Sequence, residues 1–159
     1  MLYNTAYPNR IKDIVFSIRK LTQAEEGYNR HLENKYDISA SQLFCILALY
    51  EDGPLPPSRI AKRIMVNTSS VTGIIDRLEV KHLVERTRIS HDRRIITISL
   101  TEAGKRLAET ANSEMKNEFM IILRRFDSDD VERIISAVNG LVDLIHSENL
   151  KIKEATTAS

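Results

Sequence analysis

Residues 67–100 read NTSSVTGIIDRLEVKHLVERTRISHDRRIITISL, and the reading of this stretch decides the fold. Val71, Ile74, Ile75 and Leu78 recur at i, i+3, i+4 and i+7, which gives a helix with one apolar face. Its other face carries Ser69, Ser70, Thr72, Gly73, Asp76 and Arg77. Short hydroxyl side chains let a helix approach base edges and phosphates closely, as entry into a DNA major groove requires. After Leu83 the β-branched residues Val84, Thr87 and Ile89, then Ile95, Ile96, Thr97 and Ile98, predict two strands. Ser90-His91-Asp92-Arg93-Arg94 between them is a polar turn. A groove-sized helix followed by a basic-tipped hairpin predicts a winged helix. The expected class is therefore mainly α with a small β-hairpin wing.

Working outward, the short helix before this stretch is expected over Pro57 to Ile64. Pro56-Pro57 stands where a Ser or Thr cap usually sits, and a proline at N1 presets φ. Met65 to Thr68 then turn the chain, completing a helix-turn-helix. Upstream, Ser39 with Gln42 three residues on forms a capping box, and Ile38 and Leu43 are placed as its hydrophobic staple. Leu43, Phe44, Ile46, Leu47 and Leu49 make that helix mostly buried, and Gly53-Pro54 ends it. A long helix from Asn9 to Lys35 precedes it, about 40 Å at ~1.5 Å per residue. That length outreaches a small domain's core, so part of its apolar face is expected to meet a second subunit. Downstream, Thr101 can cap a helix over Glu102 to Leu123, where Gly104 in the first turn costs little. Asp127, with Asp130 at N3, opens a last helix bearing the stripe Val131, Ile134, Ile135, Val138, Leu141, Val142 and Ile145. The expected organisation is a dimerisation helix over 1–37, a winged helix-turn-helix lobe over 38–100, dimerisation helices over 101–150 and a frayed polar tail over 151–159.

Charge sharpens this. The chain of 159 residues has a net charge of +1, which argues against indiscriminate polyanion binding. From Arg59 to Arg94, however, nine Lys/Arg face four acids, a local +5 that leaves −4 for the rest. One basic module in a near-neutral chain is the footprint of a DNA-facing surface. The apolar fraction of 42% fits an ordinary globular domain, and a single cysteine, Cys45, excludes an internal disulfide framework. No apolar run approaches the ~18 residues of a membrane span, and residues 1–20 lack a signal-peptide pattern, so a cytoplasmic protein is expected.

From Ile38 to Leu107 the sequence resembles the MarR (multiple-antibiotic-resistance regulator) family of winged helix-turn-helix transcriptional regulators. The residues that carry the resemblance are SASQLFCILALYEDGPL, IAKRI, SSVTGIIDRLEVKHLVER, the wing-tip DRR and ISLTEAGKRL, in unbroken order. The resemblance implies a homodimer, built from the first and last two helices, that binds pseudo-palindromic double-stranded operators and is released by a small ligand or by oxidation. Ser69, Ser70 and Thr72 match the face presented to the major groove, opened by Asn67 and Thr68. Gly73 stands where many members have arginine. Arg77 matches a position beside backbone phosphate, and Asp92 and Arg94 match the wing pair, in which the arginine reaches the minor groove; Arg93 is its neighbour. Lys62, Arg86 and Arg88 complete the expected DNA-contacting set, Lys62 and Arg86 contributing mainly charge. His82 replaces a common glycine where a left-handed residue closes the helix, and a strained cap is the expectation there.

For regulation, Arg19, Tyr28, His31, Tyr36 and Phe44 could border the cleft in which this family binds aromatic acids. Core packing is the competing reading for each. Cys45 sits on the second helix, whereas the family's peroxide sensors carry theirs on the first, so a buried structural thiol is expected. His31, His91 and His146 are scattered without Cys/His partners at ligand spacing, which leaves no metal site or cofactor. No nucleophile motif or phosphate-binding glycine loop suggests an enzyme. The alternative function is a winged helix used only for protein–protein docking. The basic residues around helix and wing argue against it.

Overall fold

A computed structural model describes residues 7–88 and 96–157. The order of elements is α1 (Tyr7–Tyr36), α2 (Ala40–Asp52), α3 (Pro57–Arg63), α4 (Thr68–Val80), β1 (Val84–Arg88), β2 (Ile96–Leu100), α5 (Glu102–Leu123) and α6 (Ser128–Thr157). The fold is a mainly helical winged helix, as expected. The chain divides into two compact units, Met1–Asn112 and Ser113–Ser159.

In the first unit each helix of the helix-turn-helix contributes its apolar stripe to one core. Leu32 of α1, Leu43, Ile46 and Leu49 of α2, Ile60 of α3 and Val71, Ile75 and Leu78 of α4 are buried there. The strands add Val84 and Ile98, and α5 adds Ala108 and Ala111. β1 and β2 pair antiparallel from Val84↔Leu100 to Arg88↔Ile96. Leu55, in the α2–α3 loop, adds an isolated antiparallel bridge to β2. Its N–H donates to the Ile98 carbonyl at 3.1 Å and its carbonyl accepts from the Ile98 N–H at 2.8 Å. The tip Ser90 to Arg94, with Asp92, Arg93 and Arg94, lies outside the described residues.

The capping box at α2 forms in full: the Ser39 hydroxyl accepts from the Gln42 N–H, and the Gln42 side chain accepts from the Ser39 N–H at 2.9 Å. Asp127 caps α6 through the Asp130 N–H at 2.8 Å. Thr101 caps α5 by accepting from the Gly104 N–H at 3.1 Å, and its hydroxyl donates to the His82 carbonyl at 2.7 Å. This junction explains Gly104 better than tolerance in a first turn. A Cβ there would lie 2.0 Å from the Leu83 carbonyl oxygen, so only glycine lets α5 approach the entry to β1.

His82 has φ 56°, the left-handed cap that the family resemblance implied. Its N–H donates to Glu79 O and the next N–H, of Leu83, donates to Leu78 O, the paired bonds of a Schellman motif. Met65 repeats this geometry after α3, with φ 56° and the Val66 N–H on Ala61 O at 3.0 Å. Two expected boundaries shift. α1 starts at Tyr7 rather than Asn9, and α6 continues to Thr157 through the stretch expected to fray. Lys151, Lys153, Glu154 and Ala155 are strong helix formers with no Gly or Pro among them, which accounts for the continuation.

The first half of α1 exposes Ile14, Val15, Phe16 and Leu21. In the second unit, Met120, Ile121, Ile122 and Phe126, then Ile134, Ile135, Val138 and Val142 of α6, are likewise exposed. No helix among the described residues is long and apolar enough to cross a membrane.

Candidate nucleic-acid interface

α4 is two-faced. Val71, Ile74, Ile75 and Leu78 are buried against the lobe, whereas Thr68, Ser69, Ser70, Thr72, Asp76 and Arg77 are exposed on the opposite side. The helix opens at Asn67, whose backbone carbonyl accepts from the Ser70 and Val71 N–H groups while its side chain makes no cap bond. The first turn therefore presents an uncommitted amide and three hydroxyls where helix N–H groups have no intrahelical acceptor, a surface suited to phosphate. Gly73 is half-buried, and Arg77 folds back over it, its Nε donating to the Gly73 carbonyl at 2.9 Å. The guanidinium thus lies along the helix one turn earlier than its own Cα.

The basic residues are not equivalent. Arg86 of β1 donates from Nη1 to Glu79 at 2.7 Å and from Nη2 to Asp76 at 2.5 Å. These contacts hold its pKa above the ordinary arginine value, the Asp76 hydrogen bond being the largest cause. Arg86 is a brace between wing and helix, which the sequence reading as mere charge missed. Arg63 is held by Glu51 at 2.6 Å and Asp52 at 3.1 Å. Lys81 bonds both the backbone carbonyl and the carboxylate of Asp37, the residue of φ 55° after α1, and keeps the Asp37 carboxyl below its usual range. Lys62 is exposed and shares an open cleft with Arg59 and Leu55 at the α3 end of the lobe. Arg88 ends β1, and Arg93 and Arg94 fall outside the described residues. Sequence spacing gave no signal for these pairings, because Asp37 and Lys81 are far apart in the chain.

Of the residues expected to border an effector cleft, Phe44 lines a described cavity. Phe44 is 38% exposed and lines a cavity of about 510 Å³ with Glu25, Leu47, Glu51, Ile64 and Met65. Arg19, Tyr28, His31 and Tyr36 are not on that wall. The Tyr28 and His31 rings lie 6.1 Å apart along α1, and Lys35 sits over the Tyr36 ring. Cys45 is buried, and burial pushes its thiol up to about 12. Among the described residues no group of His, Cys, Asp and Glu could hold a metal ion.

Residues 38–96 match the model of the MarR family. Over 94 residues the chain is 38% identical to the HTH-type transcriptional repressor MdtR of Bacillus subtilis (strain 168); the match spans 59% of this chain and 61% of that protein. Among solved structures, the S. aureus MepR–DNA complex superposes with a TM-score of 0.71 at 21% identity, over 82% of this chain and 96% of that one. NadR in complex with 4-hydroxyphenylacetate gives 0.65 at 26% identity, over 80% and 91%.

Proposed function

We propose, from the premise that residues 38–96 make this chain a MarR-family transcriptional regulator and not an enzyme, that it is a cytoplasmic repressor. In this reading a homodimer binds a pseudo-palindromic operator and is released by a small ligand. The observation that carries it is the exposed, hydrogen-bonding face of α4, supported from behind by a fully buried stripe. Asn67, Thr68, Ser69, Ser70 and Thr72 read bases or their immediate phosphates, with Gly73 allowing close approach. Arg77 and Lys62 hold backbone phosphate, and Arg88, Asp92, Arg93 and Arg94 form the minor-groove arm of the wing. A guanidinium in a narrow groove reads shape more than base identity.

The dimer reading rests on apolar surface. Residues 1–37 and 101–150 form the dimerisation region, because α1, α5 and α6 expose more large apolar side chains than a lone chain of this size keeps in water. Two recognition helices related by a two-fold axis then fit half-sites ~34–36 Å apart. The repressor sense follows MdtR, named a repressor. The effector is a small aromatic molecule; a related structure holds an aromatic acid, and Phe44 supplies an open ring beside a cavity.

Selection of bound duplexes from random DNA tests the reading. A recurrent palindromic motif is expected, and Arg94→Ala should bind it weakly with fold and dimer intact. Recovery of unrelated sequences, or an Arg94→Ala variant as tight as wild type at ~150 mM salt, would refute it. Salt titration also separates this from a protein-docking winged helix, whose association with DNA would show no defined slope.

A further inference from the structure

We propose that Lys81 is a positioning residue for operator recognition: by tying the end of α4 to the end of α1, it sets the half-site spacing that the dimer accepts. The inference rests on the dimeric DNA-binding reading above and adds what fixes its spacing.

Lys81 is the C-cap of α4, its N–H donating to the Arg77 carbonyl at 3.2 Å, and the left-handed His82 follows it. Its ammonium bonds Asp37, the residue after α1, donating to the backbone carbonyl and, at 2.9 Å, to a carboxylate oxygen. Asp37 is itself held, with φ 55° and its N–H on the Glu33 carbonyl at 2.9 Å. One cation thus joins the C-terminal ends of two helices, where the carbonyl dipoles favour positive charge. Packing does not do this work there. α1 packs on α2, and beside the tie lies an open cleft of about 450 Å³ lined by Glu33, Ile38, Arg77 and Val80. Val80 is 77% exposed, so no apolar seal closes the gap between α1 and α4.

Position gives the tie its consequence. α1 carries the exposed Ile14, Val15, Phe16 and Leu21, the face that meets the partner in the dimeric reading, and α4 carries Ser70 and Thr72. Lys81 therefore stands between the dimer contact and the base-reading face. A tie present equally in free and operator-bound protein shifts nothing for a matched operator. It opposes a mis-spaced one, which the dimer grips only by turning a lobe against α1 and breaking the tie. An exposed ion pair limits that opposition to about fivefold per lobe.

The test is anisotropy titration of the full chain with a selected operator and with the same duplex carrying one base pair inserted between its half-sites. The insertion moves one half-site by ~3.4 Å and turns it by ~35°. Lys81→Met keeps the aliphatic stem and a good helix former while removing the charge. Lys81→Arg keeps the donors, and Asp37→Asn tolerates the left-handed conformation. Lys81→Met should bind the matched operator within about twofold of wild type and the lengthened one about fivefold more tightly, at an unchanged salt slope. Lys81→Arg should match wild type on both duplexes. Asp37→Asn should follow Lys81→Met by less, because the carbonyl contact remains. Equal weakening of both duplexes by Lys81→Met would overturn the proposal, as a phosphate contact if the slope falls by about one ion and as a stability effect if it does not. An unchanged affinity for the lengthened duplex, a Lys81→Arg variant that behaves as Lys81→Met, or equal tightening of both duplexes by Asp37→Asn would overturn it too. Wild type is measured first: no operator binding would sink the dimeric regulator reading, whereas equal affinity for the two spacings would sink only the role of Lys81.

Discussion

The Arg86 guanidinium stands 2.5 Å from the Asp76 carboxylate, and its other terminal nitrogen stands 2.7 Å from Glu79. Strand β1 is thereby tied to two carboxylates on neighbouring positions of α4's surface, so the wing and the recognition helix hold each other in register. Exposed ion pairs contribute ~0–1 kcal/mol each, and a forked arginine sits toward the upper end. Arg86→Ala should lower stability by about 1 kcal/mol and weaken DNA binding by loosening helix placement. The slope of log affinity against log salt should stay as in wild type. A slope reduced by about one ion would mean that Arg86 neutralises a phosphate instead.

Base reading and phosphate holding separate in the same way. Ser70→Ala or Thr72→Val should change which operator variants are preferred, by ~1–3 kcal/mol for each lost base contact. Lys62→Ala should weaken all duplexes about equally and flatten the salt slope by roughly one ion. Competition among operator variants at two salt concentrations reads both. The opposite assignment of effects would place α4 along the backbone rather than in the groove.

Gly104→Ala puts a methyl group where the Leu83 carbonyl lies 2.0 Å away, a backbone atom that cannot rotate aside. The expected cost is at least the ~1–3 kcal/mol of an overpacked core, seen as a lower urea midpoint at unchanged m. His82→Gly should act in the opposite direction, by about 1 kcal/mol, because it relieves a non-glycine residue at φ 56°. An unchanged midpoint in Gly104→Ala would contradict the close approach of α5 to the hairpin.

Burial raises the Cys45 thiol from its ordinary 9.0 to about 12. At neutral pH the native thiol is therefore protonated and sealed, and iodoacetamide should modify it only on unfolding. The folded pKa lies above the unfolded one, so this contribution to stability is fully present below pH 9 and is lost as pH rises toward 12. Rapid alkylation of the native protein at pH 7 would identify Cys45 as a reactive site.

Much of this was legible in the sequence because it is local. The α4 stripe, the Ser39–Gln42 box and the Asp127 and Thr101 caps each depend on residues within a turn of one another. What escaped is non-local. The Leu55–Ile98 bridge, the Arg86 fork and the Lys81–Asp37 tie join segments whose spacing carries no periodic signal. Gly104 looked like a tolerated helix residue because its reason is a carbonyl on another element. Met65 gave no warning of a left-handed turn, since methionine carries no propensity for one.

The central claim is that the exposed face of α4 reads sequence. Its most direct measurement is the affinity ratio between a selected operator and a scrambled duplex, taken at ~150 mM salt for wild type and for Ser70→Ala/Thr72→Val. The wild-type ratio should be ~10³ or more, and the double variant should lose most of it while retaining its affinity for scrambled DNA. A ratio near one in wild type, or one untouched by the double substitution, would contradict the account.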